Sequence, residues 1–173
     1  VGQRVEPSVD VIQVNGKSIS QPKPEDLEYW VVYKPRGYVS TVRDPDNRPS
    51  VVSLVHSKQR LYPVGRLDIE SEGLVLLTND GVLTNVLTHP RYHAAKTYHV
   101  WVTGEITERK LNKLRRGVRL NDGMTAPCEI VSTMLRTRKA ALTITLYEGR
   151  SRQIRRMMPC VDLEVTKLKR VGI

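Results

Sequence analysis

The chain has 173 residues with a formal net charge of +10, and 39% of them are apolar. This length fits one ordinary domain, or one domain with a small appendage, and no apolar run is long enough to span a bilayer. The only two cysteines, Cys128 and Cys160, do not form a disulfide framework and have no partner at zinc-ligand spacing, so no metal site is expected.

The positive charge is unevenly distributed. Residues 1–28 have a balance of −2, which leaves +12 for residues 29–173. Basic side chains cluster at 109–119 and again at 150–156. Such clusters are typical of a protein that binds a polyanion, although a solvated helix face is the alternative for either cluster alone. Two clusters without acidic compensation favour nucleic acid as the partner.

The N-terminal segment differs from the rest of the chain. Alternating residues predict a strand over Val9–Val14, and Asn15-Gly16 is a strong hairpin turn. Residues 20–26 contain two prolines among polar neighbours, which predicts a linker without regular structure. From Tyr29 the composition becomes rich in β-forming residues. We therefore predict a short N-terminal region over 1–27 and a main domain over 28–173.

The main domain is predicted to contain many strands and few helices. Apolar runs and alternating patterns predict strands at 29–33, 73–78, 96–103, 127–132, 140–147 and 161–168. Three short helices are predicted, capped by Asp80, Thr107 and Ser151, and they end near residues 87, 116 and 158. This pattern predicts an α+β fold with a central mixed, mostly antiparallel sheet.

Several common sites are excluded by motif. The sequence contains no GxxxxGK[ST] loop, no GxGxxG loop and no GxSxG elbow. His89 and His93 have helical spacing, but Pro90 lies between them and no HExxH pattern is present. A nucleotide, redox or metal cofactor is therefore not expected.

Four short segments remain that could carry chemistry. They are KPRG at 34–37, GRLD at 65–68, KTY at 96–98 and EGRSRQIRRM at 148–157. The first three alone suit a turn, a turn-capping Asp and a half-buried core Tyr. The fourth places four arginines within seven residues at the start of a predicted helix, where the helix dipole disfavours cations. An anion, either a phosphate or a buried carboxylate, is therefore expected beside them.

In this order and spacing, the four segments resemble the pseudouridine synthase family. The GVRL and TAP elements at 117–127 strengthen the likeness, which runs from about Val11 to the end of the chain. The similarity is to the ribosomal-RNA branch, which usually carries an N-terminal RNA-binding domain of the S4 type. It implies that residues 1–27 are the remnant of such a region plus a linker. It also implies that 28–173 is the catalytic domain, truncated at its C-terminus and departing from the family pattern at 158–165.

The resemblance also implies roles for individual residues. Asp68 corresponds to the catalytic carboxylate, Tyr98 to the aromatic residue that packs on the target base, and Arg155 to the partner of the catalytic Asp. Arg66 lies where the family supports RNA after base flipping. We therefore expect Asp68 and Arg155 within salt-bridge distance in a basic active-site cleft that Tyr98 also faces. The residues expected to bind RNA are Arg66, Lys34, Lys96, Arg150, Arg152 and Arg156.

The implied reaction moves the ribose attachment of uracil from N1 to C5, so no group is lost from the product and no cofactor is required. Asp68 either adds to the sugar or abstracts a sugar proton, and the sequence leaves both roles open. Two alternatives to a ribosomal-RNA enzyme also stay open: a non-catalytic RNA-binding scaffold, and a synthase that acts on transfer RNA. The expected enzyme is a monomer in the bacterial cytosol, or in an organelle matrix after removal of a transit peptide.

Overall fold

A hairpin lies near the N-terminus of the computed structural model, which describes residues 5–6, 9–19 and 23–173. Strands β1 (Ile12–Val14) and β2 (Lys17–Ile19) pair antiparallel. Asn15 and Gly16 form the turn with φ of 50° and 75°, the left-handed backbone that this dipeptide tolerates. Residues 20–22 of the predicted linker lie outside the described residues, and Pro24–Asp26 form one 3₁₀ turn where no regular structure was predicted.

The main domain is built on a mixed sheet. The remaining strands are β3 (Tyr29–Lys34), β4 (Tyr62–Pro63), β5 (Glu72–Thr78), β6 (Lys96–Gly104), β7 (Arg119–Leu120), β8 (Gly123–Met124), β9 (Glu129–Arg136), β10 (Lys139–Leu146) and β11 (Leu163–Gly172). The sheet order is β3-β5-β11-β6-β10-β9, with β4 also paired to β5, while β7 and β8 form a separate hairpin. Within the described strands only β5 and β11 pair in parallel, so the predicted α+β fold with a mostly antiparallel mixed sheet is confirmed.

The described residues form three α-helices. They are α1 (Gly81–Thr88), α2 (Glu108–Arg116) and α3 (Gln153–Met157), with 3₁₀ turns at Val51–Leu54, Pro90–Tyr92 and Met158–Val161. Asp80 caps α1 by accepting from two backbone N–H groups, and Thr107 caps α2 by accepting from the N–H of Lys110, as predicted. The predicted Ser151 cap is wrong, because α3 begins after Arg152, whose left-handed backbone (φ 51°) turns the chain into the helix.

The described residues form two apolar core clusters. The first cluster joins β6, β10, β11, α2 and α3 and includes the buried Val100, Leu142 and Met157. The second contains Val75 and Leu77 of β5 together with segments that cross over them. Each fully buried aliphatic side chain contributes about 1.5–3 kcal/mol of hydrophobic stabilisation. Tyr98 packs against both clusters and so marks their boundary.

Within the described residues, no helix has both the length and the apolar character needed to cross a membrane.

Candidate active site

The GRLD loop is fixed by backbone contacts on both sides of Asp68. Ser40 accepts a hydrogen bond from the N–H of Leu67 at 3.1 Å, and its hydroxyl donates to the carbonyl of the same residue at 3.0 Å. The N–H of Gly37 donates to the carbonyl of Ile69 at 2.8 Å. Leu67 itself is buried in the second core cluster. The carboxylate of Asp68 therefore sits on a loop whose backbone the preceding turn holds in place.

Lys34 holds that turn from below. Its side chain is fully buried, and its ammonium donates to the carbonyls of Pro35 at 2.9 Å and Tyr38 at 2.8 Å. Burial lowers the pKa of Lys34 to about 8, although the negative charges of Asp68 and Glu72 oppose the shift. The structure thus encloses the Lys34 ammonium in protein, where backbone carbonyls engage it, and the contact of Lys34 with RNA stays a prediction.

The buried ammonium predicts a pH dependence of stability. The pKa of Lys34 is about 8 in the folded protein against an ordinary 10.5, so between these values the unfolded chain binds more protons. The free energy of unfolding should therefore rise from pH 8 to pH 10.5 by up to about 3 kcal/mol relative to a Lys34→Met variant. Urea denaturation of both proteins across this range measures the difference. A gap between them that does not change with pH would contradict the assignment.

Asp68 and Tyr98 line the same cavity, which has a volume of about 240 Å³. Among the described residues, no side chain or backbone group forms a hydrogen bond or ion pair with the Asp68 carboxylate. The hydroxyl of Ser71, which also lines this cavity, is buried and likewise has no hydrogen-bond partner within the described part of the chain. The cavity therefore presents an unpaired carboxylate, an aromatic side chain and an unused hydroxyl to whatever enters it.

Glu148, which also lines this cavity, organises part of its wall. Its carboxylate accepts from the N–H of Ala126 at 2.9 Å, from the amide of Gln153 at 2.6 Å and from Nε of Arg150 at 3.1 Å. Gln153 also accepts from the N–H of Arg150 at 3.1 Å. This network ties the loop after β10 to the first turn of α3 and to the segment before β9. These hydrogen bonds therefore fix the part of the cavity wall that Glu148, Arg150 and Gln153 form.

The structure does not contain the expected ion pair between Asp68 and Arg155. Arg155 faces Glu70 instead, with Nε 3.7 Å from the carboxylate and Nη2 3.5 Å from the backbone carbonyl. Glu70 also accepts from Arg152 at 2.9 Å, and the contacts, chiefly this hydrogen bond, lower the pKa of Glu70. Arg155 lines a different cavity, with Thr103 among its neighbours. Glu70 takes the place expected for Asp68 as the partner of Arg155, since Glu70 lies two residues beyond Asp68 on the same loop.

The other arginines of the EGRSRQIRRM segment are also paired with carboxylates. Arg156 donates to Asp122 at 3.0 Å, and the pairing lowers the pKa of Asp122. Arg150 lies 3.6 Å from Asp122 and also pairs with Glu148. The anion expected beside these cations is therefore supplied by the protein itself. Side chains of Arg150 and Arg156 are about one quarter exposed, at 26% and 27%, whereas Arg152 reaches 46%.

Two predicted RNA-binding residues carry charge that no carboxylate in the described part of the chain neutralises. Arg66 is exposed at the edge of the Asp68 cavity, and within the described residues its guanidinium has no hydrogen-bond or ion-pair partner. Lys96 is half-buried and donates to the carbonyls of Ala94 at 2.9 Å and Leu87 at 3.3 Å. Both are therefore available to an anionic ligand that approaches from solvent.

The comparison with known families agrees with this arrangement. The family model described as RNA pseudouridylate synthase matches residues 28–159, which include Asp68, Tyr98 and Arg155. The chain belongs to the RNA pseudouridylate synthase family. In this family context the Asp68 cavity is the candidate active site.

Individual relatives support the same family. The chain is 42% identical over 164 residues to ribosomal large subunit pseudouridine synthase B of Bacillus subtilis, covering 93% of this chain and 66% of that protein. It is 37% identical over 173 residues to the dual-specificity RNA pseudouridine synthase RluF of Escherichia coli, covering 100% of this chain and 58% of the relative. A crystal structure of a pseudouridylate synthase superposes with a TM-score of 0.75 at 26% identity, over 97% of this chain and 70% of that one. The chain thus spans between 58% and 70% of the lengths of these relatives.

Sequence reasoning missed three side chains that build the site. Ser71 lies three residues beyond Asp68, but no pattern in the sequence distinguishes its hydroxyl from a solvated one. Glu148 opens the arginine-rich segment and was not recognised as the acceptor that organises it. Glu70 is the third such residue, although the sequence shows a carboxylate two residues from Asp68 that could pair with Arg155 in its place. For Glu70 the missing information was its partners Arg152 and Arg155, which are more than 80 residues away in sequence.

Proposed function

We propose that this chain converts a specific uridine of ribosomal RNA into pseudouridine. The observation that carries the proposal is the unpaired carboxylate of Asp68, which shares a cavity with Tyr98 in a chain of the RNA pseudouridylate synthase family. A surface used for binding alone needs cations and aromatic faces, but it gains nothing from an unpaired carboxylate, which repels phosphate. The same observation disfavours a non-catalytic RNA scaffold.

The chemistry requires a carboxylate and an aromatic face at one point. Breaking the bond between C1′ and N1 builds positive charge on the sugar, which an adjacent carboxylate stabilises or captures covalently. If Asp68 captures C1′, the detached uracil turns and C5 displaces the carboxylate. If Asp68 instead takes a sugar proton, that proton returns when C5 bonds to C1′. In both routes the C5 proton is lost to solvent and N1 gains a proton, so the atoms balance without a cofactor.

Tyr98 suits the second requirement. A base stacked in an RNA helix cannot be reached or turned, so it must be flipped out and held by stacking and shape. Tyr98 is half-buried between the two core clusters, which restrict its ring. Ser71 can donate to a carbonyl of the base, since its hydroxyl is buried in the same cavity without a partner among the described residues. Arg66 at the cavity edge is positioned to replace the flipped base or to hold its strand.

The remaining predicted contacts form part of the same proposal. Arg155 is proposed to leave Glu70 and approach Asp68 when RNA binds. Arg150, Arg152 and Arg156 are proposed to contact phosphates near the cavity, with Arg152 the most exposed. Residues 1–27 are proposed to belong to an S4-like RNA-binding region plus a linker, followed by the catalytic domain. We propose that the protein is a monomer that acts on ribosomal RNA in the bacterial cytosol. Two bacterial relatives are named as pseudouridine synthases of the large ribosomal subunit, which supports ribosomal RNA as the substrate.

Tritium release tests the function directly. Large-subunit ribosomal RNA transcribed with uridine labelled at C5 should release tritium to water when incubated with the protein, because bonding C5 to C1′ expels that hydrogen. Release should stop at about one equivalent per modified site, and mapping the product should locate the uridine. Labelled small-subunit and transfer RNA serve as parallel substrates. Release from transfer RNA alone would show that the substrate is transfer RNA and not ribosomal RNA. No release from any of the three RNAs would favour a non-catalytic RNA-binding scaffold.

A further inference from the structure

A second cavity adjoins the Asp68 cavity and is not needed for the chemistry at Asp68 itself. Its volume is about 180 Å³. The two cavities share six lining residues: Gly65, Arg66, Tyr98, Glu148, Gly149 and Arg150. Lys96 and Arg170 line only the second one. The two cavities therefore form adjacent compartments around Tyr98.

Arg170 is an unusual buried cation. Only 2% of the residue is exposed, and it lies opposite Tyr98 on the neighbouring strand. Its Nε donates to the carbonyl of Leu74 at 2.8 Å, while Nη2 is buried without a hydrogen-bond partner among the described residues. No carboxylate in the described part of the chain pairs with Arg170. A buried cation without a counter-charge is costly, so an anionic ligand bound there would offset that cost.

Lys96 adds a second unneutralised charge. Its ammonium contacts two backbone carbonyls, and burial, together with the positive charge of Arg170, lowers its pKa. Glu148 is the carboxylate that lines this cavity, and its oxygens are already engaged by Ala126, Gln153 and Arg150. With Arg66 and Arg150 also in the lining, cations exceed anions here. The excess of positive charge in the cavity lining therefore favours the binding of an anion.

We propose that this second cavity binds an RNA phosphate next to the target uridine, with Arg170 and Lys96 as its ligands. The inference rests on the proposed function, in which the first cavity takes the uridine. A nucleotide phosphate is separated from its base by one ribose, which matches two compartments that meet at Tyr98. Charge-assisted hydrogen bonds from a guanidinium and an ammonium are the strongest that a phosphate receives from protein. With the base and the phosphate both held, the ribose between them is fixed beside Asp68.

The binding half of the inference is testable with small probes. The Nε–H of Arg170 is buried and hydrogen-bonded, so its NMR resonance reports directly on this cavity. Uridine 5′- or 3′-monophosphate should shift that resonance, and uridine at the same concentration should not. Lys96→Met should weaken the response to the nucleotide about tenfold or more, because a charged hydrogen bond is lost. Lys169→Met is the matched control, since it removes the same charge from the neighbour of Arg170 in sequence. The Lys169 ammonium lies over the Tyr33 ring and not in this cavity.

The functional half uses a short RNA hairpin that carries the mapped uridine. Replacing one flanking phosphate by a neutral methylphosphonate should lower kcat/KM of the wild type about 10- to 100-fold. In Lys96→Met, and in the charge-conserving Arg170→Lys, the same replacement should lower kcat/KM by a markedly smaller factor, since the phosphate has already lost a ligand. Thermal denaturation verifies that each variant is folded, and Lys169→Met should respond to the replacement as the wild type does.

The outcomes separate this inference from the proposed function. The phosphate site is overturned, and the function is left intact, by either of two results with normal tritium release. In the first, neither neutral linkage changes kcat/KM. In the second, a neutral linkage lowers kcat/KM equally in the wild type and in Lys96→Met. No tritium release by the wild type, with the nucleotide response of Arg170 intact, overturns the function and leaves an anion site. A resonance of Arg170 that ignores the nucleotides overturns the inference regardless of activity.

Discussion

Asp68→Asn should reduce tritium release by at least about 10³-fold, to below detection in the ribosomal RNA assay. The substitution keeps the shape of the side chain but removes its charge and its nucleophilicity, so stabilisation of the sugar cation and the covalent or proton-transfer route are lost together. RNA affinity should stay within about twofold of the wild type, because Arg66 and Lys96 are unchanged. Initial rates and filter-binding affinities measured on the same RNA preparation separate the two effects.

Asp162→Asn is the matched control for this prediction. It makes the same chemical change at a side chain that is 92% exposed, and asparagine tolerates the left-handed backbone found there (φ 54°). Its rate should equal that of the wild type. Equal tritium release by wild type and Asp68→Asn would remove Asp68 from the mechanism, and a parallel loss of RNA binding would assign Asp68 a structural role instead.

Local features of the fold were predictable from sequence because they depend on neighbouring residues. Asp80 and Thr107 cap helices through backbone N–H groups two or three residues away, so a short window contains both partners. The alternation over 140–147 likewise predicts a strand, and the structure has one at Lys139–Leu146 with its even positions buried. Ser151 failed as a cap because Arg152 adopts a left-handed conformation that no window signal indicates.

The partners of charged side chains were not predictable in the same way. The motif correctly brought Asp68 and Tyr98 to one cavity, but it did not reveal that Glu70 holds Arg155. Lys34 looked like a surface cation, and only the sheet and the turn above it bury its ammonium. An ion pair depends on distances set by the whole fold, and several carboxylates can compete for one arginine. Sequence therefore identifies the cations of this site better than it identifies their partners.

Gly73→Ala should destabilise the fold strongly, although it adds only one methyl group. Gly73 lies in β5 where that strand pairs with β11, and an added Cβ would lie 2.1 Å from the carbonyl oxygen of Arg170 and 2.6 Å from its nitrogen. The φ of +116° is also one that alanine rarely adopts. Backbone cannot yield as a side chain can, so the strands must separate. We expect a loss of about 4 kcal/mol or more, and a melting temperature lower by roughly 10 °C or more.

Gly149→Ala provides the control, because no atom lies within 4 Å of the added Cβ and the backbone is not left-handed. Its melting temperature should stay near that of the wild type, or rise slightly as the unfolded chain loses freedom. A melting temperature for Gly73→Ala within about 2 °C of the wild type would show that β5 and β11 can move apart cheaply. That result would also weaken the active-site assignment, since β11 pairs with β5 on one side and places Arg170 opposite Tyr98 on the other. Glycine is thus required at position 73 because the backbone of β5 approaches the backbone of Arg170 in β11 there.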